Sequence, residues 1–356
     1  MPTAVIGAGP AGAFAATLLA RRGQRVTLFE EKSFPRDKVC GECLSALGLS
    51  VLRRHNLLAP LEAVGRRIHR SVIVGATSHV SLPLPSPMLG ISRAALDVHL
   101  LRAARSAGAD VCQPVRIERL DPTPAGVALR ARDLTSNTIT QEVFDRVFLA
   151  DGRAALGGDK PAATGTIGIK SHFRGMTAAD DAVTLYQIDG GYGGLAPIEG
   201  ERWNAAFAVP GALLKAHAGD VGAAFAAMRR TNRRLDADLL SAEQCAPWLA
   251  APLPRYAVGK RWPANVIPVG NAAAAIEPIG GEGMGLALRS AELAVDALLT
   301  GRLHLLRPQY NALWRRRRLA CRAGGAALSA DFADIGTALL GSTPAAARLA
   351  MWAIGK

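Results

Sequence analysis

The chain has 356 residues, of which 49% are hydrophobic and 20% charged, enough length for a large core in one domain or two intimate ones. That balance excludes a disordered or fibrous protein, and no apolar run reaches the roughly 18 residues a membrane-spanning helix needs. Lys and Arg total 42 against 29 Asp and Glu, a net charge of +13 carried mainly by arginine. The charge is scattered, aromatic residues make up only 5%, and no zinc-finger or RRM spacing occurs, so nucleic acid is not an expected partner. The opening Met1-Pro2-Thr3 carries no basic segment, so a secretory signal is not expected. Five cysteines, an odd number, fit a reducing compartment, and a cytoplasmic location is the expectation.

In chain order, residues 3–7 read as a short apolar strand, residues 10–22 as a helix opened by Pro10 and stopped by Gly23, and residues 25–29 as a second strand. A loop through Phe34-Pro35-Arg36 leads to a helix over 44–55. Strand-like runs occupy 67–83, and Ser92 caps a helix over 93–107 that ends at Gly108. Residues 110–150 hold three or four strands, the last being Val147-Phe148-Leu149. Strands predominate again over 163–209, and residues 212–243 read as helical. A strand over 265–269 enters a glycine-rich loop, a helix follows over 283–299, and 303–356 is mostly helical, with Thr343-Pro344 opening the last helix. Cys40 and Cys43 form a CxxC by spacing, but no second pair completes a zinc site, and no metal is expected.

Gly7-Ala8-Gly9-Pro10-Ala11-Gly12 is a GxGxxG between a strand and a helix, the context in which that pattern binds a dinucleotide. Gly7 permits the tight turn, Gly9 lets the backbone approach a pyrophosphate, and Gly12 lets helix and strand pack closely. Glu30 closes the second strand, at the place of the acid that binds a ribose 2′-OH. An acid there disfavours a 2′-phosphate; FAD and NAD both remain open on the motif alone.

Other segments decide between them. Asp151-Gly152 follows a strand, residues 269–285 run Val-Gly-Asn-Ala-Ala-Ala-Ala-Ile-Glu-Pro-Ile-Gly-Gly-Glu-Gly-Met-Gly, and Phe34 to Gly41 read Phe-Pro-Arg-Asp-Lys-Val-Cys-Gly. With Ile91-Ser92-Arg93-Ala94-Ala95-Leu96-Asp97, this set resembles the FAD-dependent superfamily of aromatic hydroxylases, geranylgeranyl reductases and flavin halogenases, and most closely its geranylgeranyl-reductase-like branch, over roughly residues 1–300. No Trp-x-Trp-x-Ile-Pro element of halogenases is present.

The resemblance implies an α/β fold: a Rossmann-type FAD-binding domain (1–75, 90–160 and 255–300) interleaved with a mainly antiparallel β-sheet substrate domain (76–89 and 161–254), plus a helical C-terminal region (301–356). It implies FAD held by Gly7, Gly9, Pro10, Ala11, Gly12, Glu30, Lys38, Cys40, Gly41, Arg93, Asp151, Gly152, Gly270, Asn271, Pro278, Gly281, Gly283 and Met284. Asn271 stands where the family usually has an acid for the ribitol, and its amide oxygen can accept the same bond. The free N–H groups over 278–285, aimed at the flavin ring, would stabilise its reduced form. Cys40, His172 and Glu282 are the candidate catalytic residues, and Glu277 flanks the same loop. Tyr186, Tyr192, Trp203 and Phe207 are candidates to line a pocket.

The implied activity is that of an FAD-dependent oxidoreductase on a hydrophobic small molecule, with NADH or NADPH as a transient reductant. Hydroxylation of an aromatic, polyketide-like or isoprenoid substrate leads, ahead of C=C reduction of a prenyl lipid. A non-catalytic flavin module and a flavin-free NAD dehydrogenase are the rivals of other classes. The basic run Arg315 to Arg318, preceded by Trp314, is either a solvated helix face or a contact with a membrane surface or carrier protein. The tail is expected to pack on the body or lid the substrate opening.

Overall fold

The computed structural model describes residues 2–152, 156, 165–254, 257–330 and 333–355. A five-stranded parallel sheet runs in the order Val266–Pro268, Arg146–Leu149, Pro2–Ile6, Arg25–Phe29, Asp110–Cys112. Its strands are apolar on both faces because both are covered, as parallel sheets require. Val5, Leu28 and Phe148 pack under helices, while Ala4, Val147 and Phe29 pack against Ile117, Leu129 and Phe144 of a three-stranded antiparallel sheet (Val115–Thr123, Gly126–Asp133, Ile139–Phe144). Helix Pro10–Arg21 sits between helices Arg93–Ser106 and Gly283–Leu299. It is buried from Pro10 to Leu19, which its run of small residues makes possible.

The second sheet has nine strands, antiparallel except where Ala182–Ile188 pairs in parallel with Arg66–Val74. One face packs on short helices through Tyr186, Phe225, Met228 and Leu235. The other faces helices Leu306–Ser329, Ala333–Ser342 and Pro344–Ile354, which pack on one another and on strands such as His79–Gly90. The Rossmann-type unit, the mainly antiparallel sheet and the C-terminal helices are thus the architecture read from the sequence. Among the described residues, no helix is long and apolar enough to cross a membrane.

Two readings shift. Arg66–Val74 falls within the segment assigned to the cofactor unit (1–75) but is hydrogen-bonded into the large sheet, and Cys43–Leu44 forms that sheet's edge. Alternation marks a strand but not its partner, so the boundary was not legible locally. Residues 212–243 form three short helices, Gly211–Ala216, Val221–Arg229 and Arg233–Asp238. Ala218 and Gly219 take positive φ and break the first, and new caps start the others: Asp220 accepts from Ala223 N–H, and Asn232 from Arg234 and Leu235 N–H.

Candidate functional site

Gly7 takes φ +97, and a Cβ there would lie 2.5 Å from the Ala150 carbonyl oxygen; a Cβ on Gly12 would lie 1.8 Å from the Gly7 oxygen. The strand, the turn and the helix therefore close on one another only with glycine at both positions. Helix Pro10–Arg21 starts at Gly9 with no side-chain cap, and helix Gly283–Leu299 starts at Glu282, whose carboxylate does not cap it either. Both helix starts open into one cleft of about 370 Å³. Uncapped N–H groups and the positive ends of two helix dipoles suit a bound anion.

All the cofactor residues expected from the sequence line this cleft except Gly7, Gly12, Glu30 and Asp151. Gly7 and Gly12 act one step behind, through the backbone. The Glu30 carboxylate accepts the N–H of Ala8 (2.7 Å) and of Lys32 (2.9 Å), which buttresses the glycine turn and leaves acceptor capacity for a ribose. Asp151 accepts from Leu156 N–H at 3.2 Å. Asn271 is exposed at the cleft wall.

The cations of the cleft are arranged for an anion as well. The Arg93 guanidinium lies 3.7 Å from where a Gly9 Cβ would be and is held by Asp97 at 2.9 and 2.6 Å. Burial first, then Arg93 and Arg36 beside it, push the Lys38 ammonium down to about 8. A pyrophosphate between these groups would relieve that repulsion. The steric cradle at Gly12, the two uncapped helix starts and the crowded cations all fit FAD.

A second cavity of about 300 Å³ adjoins the first. The two share Val39, Cys40, Gly41, Cys43, Leu253, Pro278 and Gly281. Its walls are apolar: Ile73, Leu185 and Ala208 from the sheet, Leu328, Leu340 and Met351 from the C-terminal helices. Tyr192 is one of its few polar groups, packed with Leu185 and Leu328, and its hydroxyl donates to the buried Glu277 carboxylate at 2.6 Å. Tyr186, Trp203 and Phe207 belong to the cluster on the sheet's other face; Phe207 nevertheless reaches the cavity lining beside Gly193, whereas Tyr186 and Trp203 do not.

The three candidate catalytic residues part company. Cys40 lines both cavities. Glu282 lines neither: it is fully buried and faces Arg317 of the following helix at 3.6 Å, because the turn that frees the helix N–H groups directs its side chain away. His172 is also behind the wall. Its Nε2 lies 2.7 Å from Glu42 Oε2, while Glu42 Oε1 accepts from Lys170 Nζ (2.6 Å) and from Arg93 N–H (2.8 Å). Lys170 also reaches Asp37 at 3.1 Å, and Asn204, opposite His172 across the strand pair, donates to the Cys40 carbonyl at 3.0 Å.

This buried network pins the Asp37–Glu42 segment, which walls both cavities, to the large sheet. Asp37, Glu42 and His172 have the spacing of metal ligands, but the Lys170 ammonium stands between the two carboxylates, where a cation would have to sit. Sequence reasoning passed over Glu42, Lys170 and Asn204. A signal existed: Lys170 and His172 interrupt an apolar strand at positions two apart, hence on one face.

Residues 1–153 match the family model for an FAD binding domain. Among curated relatives, Conditioned medium factor receptor 1 of Dictyostelium discoideum is 26% identical over 83% of this chain, which spans 62% of that protein's length. Menaquinone reductase of Mycolicibacterium smegmatis is 25% identical over 87% of this chain and 78% of its own. Among solved structures, the flavin-dependent brominase Bmp2 superposes with a TM-score of 0.86 at 16% identity, covering 100% of this chain and 94% of its own. A geranylgeranyl bacteriochlorophyll reductase-like protein of Thermoplasma acidophilum gives 0.79 at 19% identity (100% and 96%). PqsL of P. aeruginosa, crystallised with 2-aminobenzoylacetate, gives 0.78 at 20% identity (95% and 99%). At these identities the structural matches establish the fold alone.

Proposed function

We propose that this protein is an FAD-dependent monooxygenase acting on a hydrophobic small molecule of aromatic, polyketide-like or isoprenoid type; the match of residues 1–153 to an FAD binding domain and the fold shared with a flavin-dependent enzyme support the reading. The observation that carries the reading is the pair of cavities joined at Cys40-Gly41 and at Pro278 and Gly281. A substrate in the apolar cavity would meet the inner end of the cofactor cleft, with little water between them. Bound FAD would supply hydride acceptance from NADH or NADPH and oxygen transfer to the substrate.

The chain's own residues bind and exclude water. Leu185, Leu328 and Met351 desolvate the substrate. Tyr192, held by Glu277, offers one oriented hydroxyl to a polar group on an otherwise greasy ligand. The Glu42 network fixes the Cys40-Gly41 wall.

A second reading, C=C reduction of a prenyl lipid, is favoured by the menaquinone reductase that matches 87% of this chain. Tyr192 and Glu277 would then be the proton source at the cavity wall. The test is NADH and NADPH oxidation by the FAD-loaded protein across lipophilic phenols and polyprenyl quinones, with and without oxygen. Substrate-dependent oxygen consumption and a product one oxygen atom heavier support the monooxygenase. Anaerobic turnover with a product two hydrogens heavier supports the reductase. Bound FAD with no stimulated turnover on any member sinks both.

A further inference from the structure

The C-terminal helices are apolar on both sides. Their inner faces wall the apolar cavity through residues such as Leu328, Leu340 and Met351. Yet Leu319, Ile335, Leu339, Leu349 and Trp352 of the same three helices are each more than half exposed, and they are half of all the large exposed apolar side chains among the described residues. Ile335 and Leu339 stand one turn apart, as do Leu349 and Trp352, so each pair shares a helix face. The Arg316 guanidinium lies 3.9 Å over the Trp352 ring, which joins the first helix of the layer to the third at the surface. A helix apolar all round is expected in a core or at a lipid surface, and this layer has a core on one side only.

Charge points the same way. Residues 306–355 contain seven arginines and two aspartates. One of those acids, Asp334, already accepts hydrogen bonds from the Thr77 and Ser78 backbone and hydroxyls. Arg315, Arg322 and Arg348 are exposed on the same helices as the apolar residues. Arginine beside tryptophan and leucine on surface helices is the composition of a segment that lies in the plane of an anionic membrane, not across it.

We propose that the layer formed by Leu306–Ser329, Ala333–Ser342 and Pro344–Ile354 docks on an anionic phospholipid surface. A lipophilic molecule could then pass from bilayer to cavity through one layer of helices without crossing water. An acidic partner protein fits the charge but not the apolar cavity directly behind the docking face. The proposal stands apart from the choice of reaction, because its test needs no turnover.

The full-length protein, loaded with FAD, is floated with vesicles of phosphatidylcholine alone or mixed with phosphatidylglycerol, at low and high salt. Retention on the anionic vesicles only, released by salt, is the expected result. Trp352 is exposed while the other tryptophans are buried or half-buried, so vesicle binding should shift indole emission to the blue. Arg315→Gln, Arg322→Gln and Arg348→Gln should each weaken binding by roughly fivefold, the effect of about one surface basic residue. Leu339→Gln with Leu349→Gln, which keeps Trp352 as the reporter, should abolish the blue shift and most retention while the thermal midpoint and FAD content stay unchanged. Equal retention on neutral vesicles, no retention on anionic ones, or capture by an acidic carrier protein without any vesicle binding each overturns the proposal.

Discussion

Lys170→Met removes the ammonium from a site where Lys170 is 1% exposed and Glu42 fully buried. At 2.6 Å from Glu42, the gross attraction is about 6 kcal/mol at an effective dielectric of 20. Desolvation of two ions offsets most of that, so the pair itself adds little to stability. Removing one partner is different, because it leaves the other charge buried; that costs about 3–5 kcal/mol. Glu42 keeps the Arg93 N–H and His172 as partners, which favours the lower end. Urea denaturation of wild type, Lys170→Met, Glu42→Gln and the double variant measures the coupling. The double variant should recover part of the loss, since no unbalanced carboxylate remains fully buried; Asp37, which also loses Lys170, is partly exposed. Lys170→Met should also loosen the Cys40-Gly41 wall and shift the visible spectrum of bound FAD, and Lys170→Arg should restore part of it. A loss under about 1 kcal/mol, with an unchanged flavin spectrum, would refute the assignment of this network to that wall.

Gly12→Ala places a methyl group 1.8 Å from the Gly7 oxygen and 2.9 Å from Ala150 Cβ. The turn must open, and the purified protein should emerge without FAD by absorbance; a yellow variant with normal affinity would contradict the cradle. Lys38 sits at about 8 instead of 10.5 because burial, Arg93 and Arg36 oppose its charge. A lysine whose folded pKa is lowered destabilises the fold below about 8, and the penalty lifts as pH rises from there toward 10.5. The FAD-free protein should therefore gain thermal stability through that window. FAD affinity should fall over the same range as the ammonium that pairs with phosphate is lost, and Lys38→Met should flatten both profiles. Tyr192→Phe removes the hydroxyl held by Glu277. A hydrogen bond from this hydroxyl to an uncharged polar head contributes about 0.5–1.5 kcal/mol, so kcat/KM for such a substrate should fall roughly two- to tenfold, while FAD binding is unchanged. Equal kcat/KM for the two proteins would show that the hydroxyl does not meet the substrate.

The sequence by itself determined the cofactor end of the molecule. Gly7 and Gly12 specify their turn because no other residue fits the approach of Ala150 and the helix, and Glu30 follows at the end of the next strand. These are short-range constraints, written in residue type and spacing. Lys38, Cys40, Arg93, Asn271 and Met284, by contrast, were placed by resemblance, and the fold brings them to one cleft. What only tertiary structure decided depends on pairing between distant segments. Arg66–Val74 could pair with any strand until Ala182–Ile188 took it. Glu42 becomes a buried anchor only because Lys170 and His172, well over a hundred residues away, arrive on the same sheet face. The apolar cavity exists only where the C-terminal helices cover that face. Local pattern records which faces are apolar; which faces meet is settled by burial summed over the whole chain.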